Sequence, residues 1–251
     1  MRMTTLDTLH DSQTVAFLGA SNATGTGPAF DWVGELQRRP RNRQRTFRHF
    51  GAGGELAANV LQHVPEVVAA KPDKIVIFLG GNEILAGLSD KARRFFTSPA
   101  QGTEAPSAEG FQENLNGLVS RLKNETGARI ALCSLPPLGE ARGTEEPFQR
   151  LLNEKVEQYS ARIAHTAFGA GCAYVPLYEA FLVHLNAAPV HALTGLRLLP
   201  FFVDAFRSTV LRQDPDAIGE RNGWHFHIDG IHLNRRGGLI AADLVQKFLD
   251  A

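Results

Sequence analysis

The stretch TVAFLGASNATG, residues 14–25, joins an apolar run to a polar turn that carries a serine. The apolar part ends at Gly19, and Ser21 follows two residues later. A short apolar run bounded by glycine is typical of a buried strand in a parallel sheet. We therefore predict a first strand over residues 14–19, with Ser21 at its carboxyl end, where open parallel sheets bind their ligands.

The same pattern recurs along the chain and predicts the fold class. Four further apolar runs read as strands: RTFRHFG (45–51), KIVIFLG (74–80), ARIALCS (128–134) and CAYVP (172–176). Helical spacing of apolar residues fills the segments between and after them: 29–39, 55–70, 111–124, 146–168 and 235–249. This alternation predicts an α/β protein, a three-layer α/β/α sandwich around a mainly parallel five-stranded sheet.

We predict that residues 1–251 form a single domain with a helical insertion at about 177–224. That segment looks helical but does not alternate with strands. We expect its aromatic residues, Phe201, Phe202 and Phe206, to pack a small core. Residues 98–110, rich in small side chains and without period, are expected to form a mobile loop.

Composition excludes several classes of partner. The chain has 26 basic and 26 acidic residues, so no net field favours nucleic acid or an anionic membrane. Its first 13 residues lack the basic start and apolar stretch of a secretory signal, and no run of 18 apolar residues predicts stable membrane insertion. A cytoplasmic protein is expected, with Cys133 and Cys172 as small buried residues. The sequence does not indicate an oligomeric state.

Residues able to do chemistry follow other predicted strands. The block Gly51-Ala52-Gly53-Gly54 comes after the second strand, and Asn82 comes after the third. Near the C-terminus, Asp229 precedes His232 by three residues, a spacing at which one turn brings a carboxylate to an imidazole nitrogen. The carboxyl ends of parallel strands meet at one edge of the sheet, so we expect these groups to converge with Ser21.

These residue types together suit acyl transfer. A serine hydroxyl is a weak nucleophile until a base such as His232, oriented by Asp229, takes its proton. The oxyanion formed on attack needs preorganised donors. The candidates are the backbone N–H of Ser21, the backbone N–H of Gly53 or Gly54, and the Asn82 amide.

Four blocks in this order resemble the SGNH hydrolases, the GDSL-like lipases and esterases. FLGASNATG, FGAGGEL, GGNE and DGIHLNRRGG are similar to the family's blocks and span nearly the whole chain. The resemblance implies a flavodoxin-like fold and hydrolysis of a small-molecule carboxylic ester, of the esterase, lipase or acetylesterase type, through an acyl-serine, with no metal or organic cofactor. It implies a triad of Ser21, Asp229 and His232, with Gly54 and Asn82 as oxyanion donors.

Two positions depart from the family pattern. Ala20 stands where the family often has Asp, and Glu83 stands where Asp is usual. Both family residues look structural, so we expect altered local hydrogen bonding with catalysis retained. A pair of arginines and a pair of phenylalanines, residues 93–96, are a weak candidate for the rim of the crevice.

Other functions compete with ester hydrolysis. The block His225-x-His227-x-Asp229-x-x-His232 somewhat resembles the ligand block of metallo-β-lactamase-type hydrolases, which would make the protein a metal-dependent hydrolase. An acyltransferase uses the same triad, and a catalytically inactive binding protein keeps the same fold. Hydrolysis of a chromogenic ester would distinguish a serine hydrolase from two of these alternatives, the metal-dependent hydrolase and the inactive binding protein. In a serine hydrolase this activity is lost in Ser21→Ala and is not changed by a chelator.

Overall fold

The computed structural model describes residues 12–24, 28–88, 90–96, 106–185, 191–196 and 198–251. Five strands occur in these ranges: β1 (Gln13–Gly19), β2 (Arg45–Phe50), β3 (Lys74–Phe78), β4 (Arg129–Cys133) and β5 (Ala173–Val175). The helices, in chain order, are α1 (Ser21–Thr24), α2 (Trp32–Arg38), α3 (Ala57–Val60), α4 (Val64–Ala69), α5 (Gly81–Leu88), α6 (Asp90–Phe96), α7 (Ala108–Glu125), α8 (Pro147–Gly169), α9 (Leu177–Leu185), α10 (Leu198–Thr209), α11 (Pro215–Arg221) and α12 (Arg235–Asp250).

The strands form one parallel sheet in the order β2-β1-β3-β4-β5. Leu18 pairs with Phe50 on one side and with Ile77 on the other, so three adjacent strands end at one edge. From β1 the chain first moves outward to β2 and then returns across β1 to β3. This reversal is a switch point between β1 and β3, the place where open α/β sheets bind ligands.

Helices cover both faces of the sheet. Because β-α-β crossovers are right-handed, the reversal at β1 places α2 on one face and the helices of the later crossovers on the other. On the first face α12 packs against α2 and α9; on the second, α7 packs against α3, α4 and α8. The buried core between them includes Phe17, Trp32 and Phe111. The predicted fold class is therefore confirmed, and each observed strand lies within one or two residues of its predicted bounds.

The segment 177–224 is helical where it is described. Helix α9 follows β5 directly and packs against α12, with Phe181 fully buried in the main core. Helix α10 packs against α11, and α11 packs against α12. The description of the chain as one domain with an insertion stays a prediction.

The expected aromatic core in this segment is wrong for the two phenylalanines whose side chains are described. Phe202 and Phe206 are 51% and 52% exposed. Among the α10 side chains that the structure describes, the buried one is instead Asp204, which accepts hydrogen bonds from Arg207 and Asn222. Periodicity identified the helix but not which face of it meets the protein. The side chain of Phe201 lies outside the described residues.

The expected loop at 98–110 is also partly corrected. Residues 98–105 lie outside the described ranges, but α7 already begins at Ala108. Ser107 caps this helix, because its hydroxyl accepts a hydrogen bond from the Gly110 N–H.

Among the helices in the described ranges, none has the length and apolar character needed to cross a lipid bilayer. Cys133 is buried and Cys172 is partly buried.

Candidate active site

The turn after β1 brings Ser21 to the switch point. Gly19 has a φ of 155°, and a Cβ there would lie 2.0 Å from the carbonyl oxygen of Phe78 on the neighbouring strand, so only glycine fits. Ser21 is the first residue of α1 and is partly buried. The close approach of β1 and β3 therefore fixes the direction in which the chain presents this hydroxyl.

Ser21, His232 and Asp229 form a continuous chain of hydrogen bonds. The Oγ atom of Ser21 lies 3.0 Å from Nε2 of His232, and Nδ1 of His232 lies 2.8 Å from Oδ2 of Asp229. The other carboxylate oxygen of Asp229 accepts the backbone N–H groups of Ile231 and His232 at 2.9 and 2.8 Å. The structure thus brings together all three residues predicted for the triad, although they are up to 211 positions apart.

The electrostatics of this chain favour an ionised Asp229. Burial alone would raise the pKa of its carboxyl group, but the charge and hydrogen bonds of His232 and the two backbone N–H groups outweigh burial, so the pKa lies below its usual value. An ionised carboxylate only accepts hydrogen bonds, which places a proton on Nδ1 of His232. In the neutral ring Nε2 then carries the lone pair that can accept the proton of Ser21.

Asn22 ties the turn of the serine to the loop of the histidine, and the sequence did not reveal it. Its amide nitrogen donates to the carbonyl of Ile231 at 3.1 Å, and its amide oxygen accepts the N–H of Leu233 at 3.1 Å. These two bonds flank His232. The only sequence signal was an amide next to the serine, which is equally common in ordinary turns.

Asn82 lies in the same crevice. It follows Gly81 at the start of α5, and both Asn82 and Ser21 line a cavity of about 40 Å³. The Nδ2 atom of Asn82 donates to the carbonyl of Glu55 at 2.7 Å, which fixes the amide and leaves its second N–H for another acceptor.

The glycine block lies next to Asn82, because Glu55, whose carbonyl Asn82 binds, directly follows Gly54. Gly54 has a φ of 86°, which glycine adopts without strain, whereas Gly53 is not in this conformation. The Glu55 carboxylate also accepts the Ala52 N–H at 3.0 Å and so closes the turn. Neither glycine lines the cavity beside Ser21.

The two departures from the family pattern lie beside the site. Glu83 is buried, and its carboxylate accepts the N–H of Ala57 at the start of α3. Burial raises the pKa of Glu83 to about 7, despite hydrogen bonds from backbone N–H groups. Glu83 therefore connects α5 to α3, a structural contact of the kind expected. Ala20 directly precedes Ser21 and lines the cavity.

The histidines that suggested a metal site have other partners. His227 is fully buried, and its Nδ1 atom lies 2.8 Å from Oε1 of Glu140. The same carboxylate accepts the backbone N–H groups of His225, Phe226 and His227. Within the described ranges, no three His, Cys, Asp or Glu side chains are grouped to hold a metal ion.

Glu140 is thus a second residue that the sequence did not reveal. It belongs to the loop after β4, whose Gly139 N–H also donates to the Gly230 carbonyl at 2.7 Å. These bonds hold the segment that carries Asp229 and His232. A single glutamate in an irregular loop gives no pattern from which this contact can be predicted.

Residues 93–96 were expected at the rim of the crevice, and two of them lie near the glycine block. The rings of Phe95 and Phe96 lie 3.6 and 3.8 Å from the position of a Cβ on Gly54, and Phe95 is 44% exposed. Arg93 pairs with Asp90 on its own helix. Of the four residues, the two aromatic rings therefore approach the glycine block.

The parallel α/β sheet and the Ser-His-Asp chain at its carboxyl edge define a class, the serine-dependent ester hydrolases of SGNH type. The family described as GDSL-like lipase/acylhydrolase matches residues 11–238, and the chain belongs to this family. Membership confirms both the resemblance stated from the four sequence blocks and the prediction of an ester hydrolase. No curated protein sequence matches the chain significantly.

Solved structures with the same fold include several esterases. An acetylxylan esterase from Geobacillus stearothermophilus is 18% identical with a TM-score of 0.61, covering 94% of each chain. A lipase/acylhydrolase from Enterococcus faecalis is 15% identical with a TM-score of 0.61, covering 94% of this chain and 95% of its own. A GDSL-like lipase from Bacteroides thetaiotaomicron is 16% identical with a TM-score of 0.58, covering 95% and 88%. At these identities the likeness supports the fold.

Proposed function

We propose that the protein hydrolyses carboxylic esters with Ser21 as nucleophile, His232 as general base and acid, and Asp229 as the group that orients His232. The observation that carries this proposal is the pair of hydrogen bonds, 3.0 and 2.8 Å long, that joins the three side chains. Their order, hydroxyl to imidazole to carboxylate, is the order that serine catalysis requires.

The proposed reaction has two halves. In the first, Ser21 Oγ bonds to the carbonyl carbon while its proton passes to Nε2 of His232, and the carbonyl oxygen becomes an oxyanion. The C–O bond to the alcohol then breaks, and His232 returns the proton to the leaving oxygen. In the second half, water attacks the acyl-serine by the same route, and the carboxylic acid leaves with Ser21 restored.

The oxyanion donors we propose are the N–H of Ser21, the N–H of Gly54 and the Asn82 amide. The proposal is supported by the cavity that Ser21 and Asn82 share and by the Glu55 carbonyl, which links Asn82 to the glycine block. Gly53 is the alternative to Gly54. Loss of one such donor typically costs about 100- to 1,000-fold in kcat.

The decisive test is the variant Ser21→Ala with p-nitrophenyl acetate as substrate. We expect kcat to fall by about 10³-fold or more, because alanine has no hydroxyl to attack the carbonyl carbon. Ser120→Ala, at an exposed position of α7, is the matched control and should keep full activity. Circular dichroism of both variants checks that the fold is intact. An active Ser21→Ala protein would rule out the proposed mechanism.

Three further measurements separate the competing functions. Incubation with a chelator should leave activity unchanged, whereas a metal-dependent hydrolase would lose it. Intact mass after brief exposure to the ester should reveal an added acyl group on wild type and none on Ser21→Ala. Product analysis with added alcohols then shows whether water or another acceptor takes the acyl group.

The partner we propose is a small-molecule ester, as the family's activity suggests. The cytoplasmic location and the lack of a nucleic-acid partner remain predictions from composition. Fractionation of cells that express the protein checks the location. Size-exclusion chromatography measures the oligomeric state.

A further inference from the structure

A small apolar recess lies beside Ser21, in the cavity that this residue shares with Asn82. Its walls come from the turn after β1, the end of β3, helix α5, the loop after β4 and Ile231. Five of its apolar side chains are at most 5% exposed and so belong to the buried core: Phe78, Leu79, Leu85, Leu135 and Leu138.

The size of the recess limits what it can hold. Its volume is about 40 Å³, measured as the space open to the centre of a water-sized group. One water-sized group occupies roughly 10–15 Å³ on this measure, so the recess has room for about three of them. That is the space of a methyl group or a chain of up to about three carbons.

The position of the recess identifies which part of an ester would enter it. In the proposed reaction the oxyanion lies at Asn82 and the glycine block, and the leaving oxygen faces His232. The remaining substituent of the carbonyl carbon is the acyl chain. The recess includes two of the proposed oxyanion donors, Ser21 and Asn82, so it adjoins the carbonyl group. Most of its other side chains are apolar, which suits the acyl chain, and neither the glycine block nor His232 is part of its wall.

We propose that this recess is the acyl-binding site and that it restricts the enzyme to esters of short acyl chains, from acetyl to about butyryl. The inference rests on the proposed function. It assigns to Leu85 a role in specificity, because this side chain lies three residues after Asn82, on the same side of α5.

The walls are held in place by bonds outside the recess. The N–H of Leu135 donates a hydrogen bond to the hydroxyl of Ser160 at 3.2 Å. The Nε2 atom of Gln149 donates a hydrogen bond to the carbonyl of Leu138 at 2.7 Å. Both partners belong to α8, the longest helix described. A longer acyl chain would therefore have to displace a tethered loop, which makes exclusion the expected outcome.

The test is a series of p-nitrophenyl esters from acetate through propionate, butyrate and hexanoate to octanoate. We expect kcat/KM for octanoate to be at least about 100-fold below that for the best short ester, since one methylene in a fitted pocket is worth about 10- to 200-fold. Equal or faster turnover of octanoate would overturn the proposal.

Enlarging the recess should change this preference. Leu85→Ala should raise the ratio of hexanoate to acetate kcat/KM by about 10-fold or more, because it removes a wall. Leu122→Ala is the matched control: Leu122 is also fully buried but lies near the end of α7 that precedes β4, at the opposite edge of the sheet. An unchanged ratio in Leu85→Ala, or an equal rise in both variants, would contradict the assignment.

The outcomes distinguish this inference from the proposed function. If every ester is hydrolysed through Ser21 without a chain-length limit, the recess is not the acyl site but the mechanism stands. If no ester is hydrolysed and Ser21 is never acylated, both proposals fall. Should Leu85→Ala not fold, Leu138→Ala removes a neighbouring wall and carries the same expectation.

Discussion

At the scale of single residues, the site depends on a few side chains that hold others in place. Asn22 forms hydrogen bonds with the backbone of both neighbours of His232. Asp229 accepts hydrogen bonds from the backbone N–H of His232 and from its ring. The imidazole therefore has little freedom to rotate or to shift away from Ser21. Such preorganisation is what allows a serine hydroxyl to react at all.

Asp229→Asn tests the orientation of the imidazole. An amide nitrogen facing Nδ1 would donate a hydrogen bond, so Nδ1 would lose its proton to Nε2 and the base would be blocked. We expect kcat to fall by about 10³- to 10⁴-fold, as for other serine triads. Asp243→Asn, at an exposed residue of α12, should have no effect on kcat. A loss below about 10-fold would show that Asp229 does not set the tautomer.

At the scale of elements, one carboxylate joins the loop after β4 to the segment before α12. Glu140 accepts three consecutive backbone N–H groups and the ring of His227. Burial alone would raise the pKa of Glu140, but these donors outweigh it and lower the pKa. The loop that carries Asp229 and His232 is thereby fastened to the sheet edge at which Ser21 lies.

Glu140→Ala should release this loop. Removing the carboxylate leaves three backbone N–H groups and the His227 ring without their acceptor. Each buried donor left unsatisfied costs about 1–3 kcal/mol, so we expect about 3–5 kcal/mol in total. We expect the free energy of unfolding, measured in urea, to fall by about that amount, and kcat/KM to fall with it. Glu145→Ala, whose side chain is 99% exposed in the same loop, is the control. Stability within about 0.5 kcal/mol of wild type would contradict the contact.

Glu83 couples α5 to α3 and predicts a dependence of stability on pH. Its folded pKa of about 7 lies above the ordinary value of 4.5, so the native state binds more protons than the unfolded state between these pH values. Stability should therefore fall as the pH rises from about 5 to 8, by about 3 kcal/mol for this group.

Glu83→Gln should remove that dependence, because glutamine keeps an acceptor for the Ala57 N–H and does not titrate. The measurement is the difference in unfolding free energy between variant and wild type at pH 5 and pH 8. The difference should move in favour of the variant at the higher pH. Glu113→Gln, at an exposed position on α7, should give a difference that does not vary with pH.

At the scale of the whole molecule, the last helix closes the fold at the edge of the sheet opposite the active site. Lys74, at the start of β3, is buried, and its Nζ atom donates to the carbonyls of Phe248 and Leu249 at 3.2 and 2.7 Å. A cation at the C-terminus of a helix also complements the helix dipole. This contact supports the fold without touching the catalytic edge.

Lys74→Met should separate stability from catalysis. The methionine keeps most of the aliphatic stem, but the Phe248 carbonyl loses its charged donor, whereas the Leu249 carbonyl still accepts a hydrogen bond from Arg45. We expect a cost of about 1–3 kcal/mol. We expect a lower midpoint of urea unfolding with kcat unchanged under conditions where the protein is folded. Lys247→Met, at an exposed position of α12, should change neither. A large loss of kcat in folded Lys74→Met would show that the two edges are coupled.

Most of the sheet could be predicted because its pattern is local. A strand such as β3 is buried at every residue, so its apolar run is visible without any knowledge of its neighbours. The candidate site was predictable for a related reason: Ser21 and Asn82 each follow a strand, and parallel strands bring their carboxyl ends to one edge. The spacing of Asp229 and His232 is likewise a local signal.

The sequence by itself therefore determined the layers of the fold and identified Ser21, Asn82, Asp229 and His232 as residues that meet at the switch point, but not Asn22 beside them. Only the tertiary structure decided the size of the recess beside Ser21, the contact of Glu140 with residues 225–227 and the exposed face of α10. These features arise from contacts between residues far apart in the chain, and no local pattern of hydrophobicity or spacing encodes the distance between such residues.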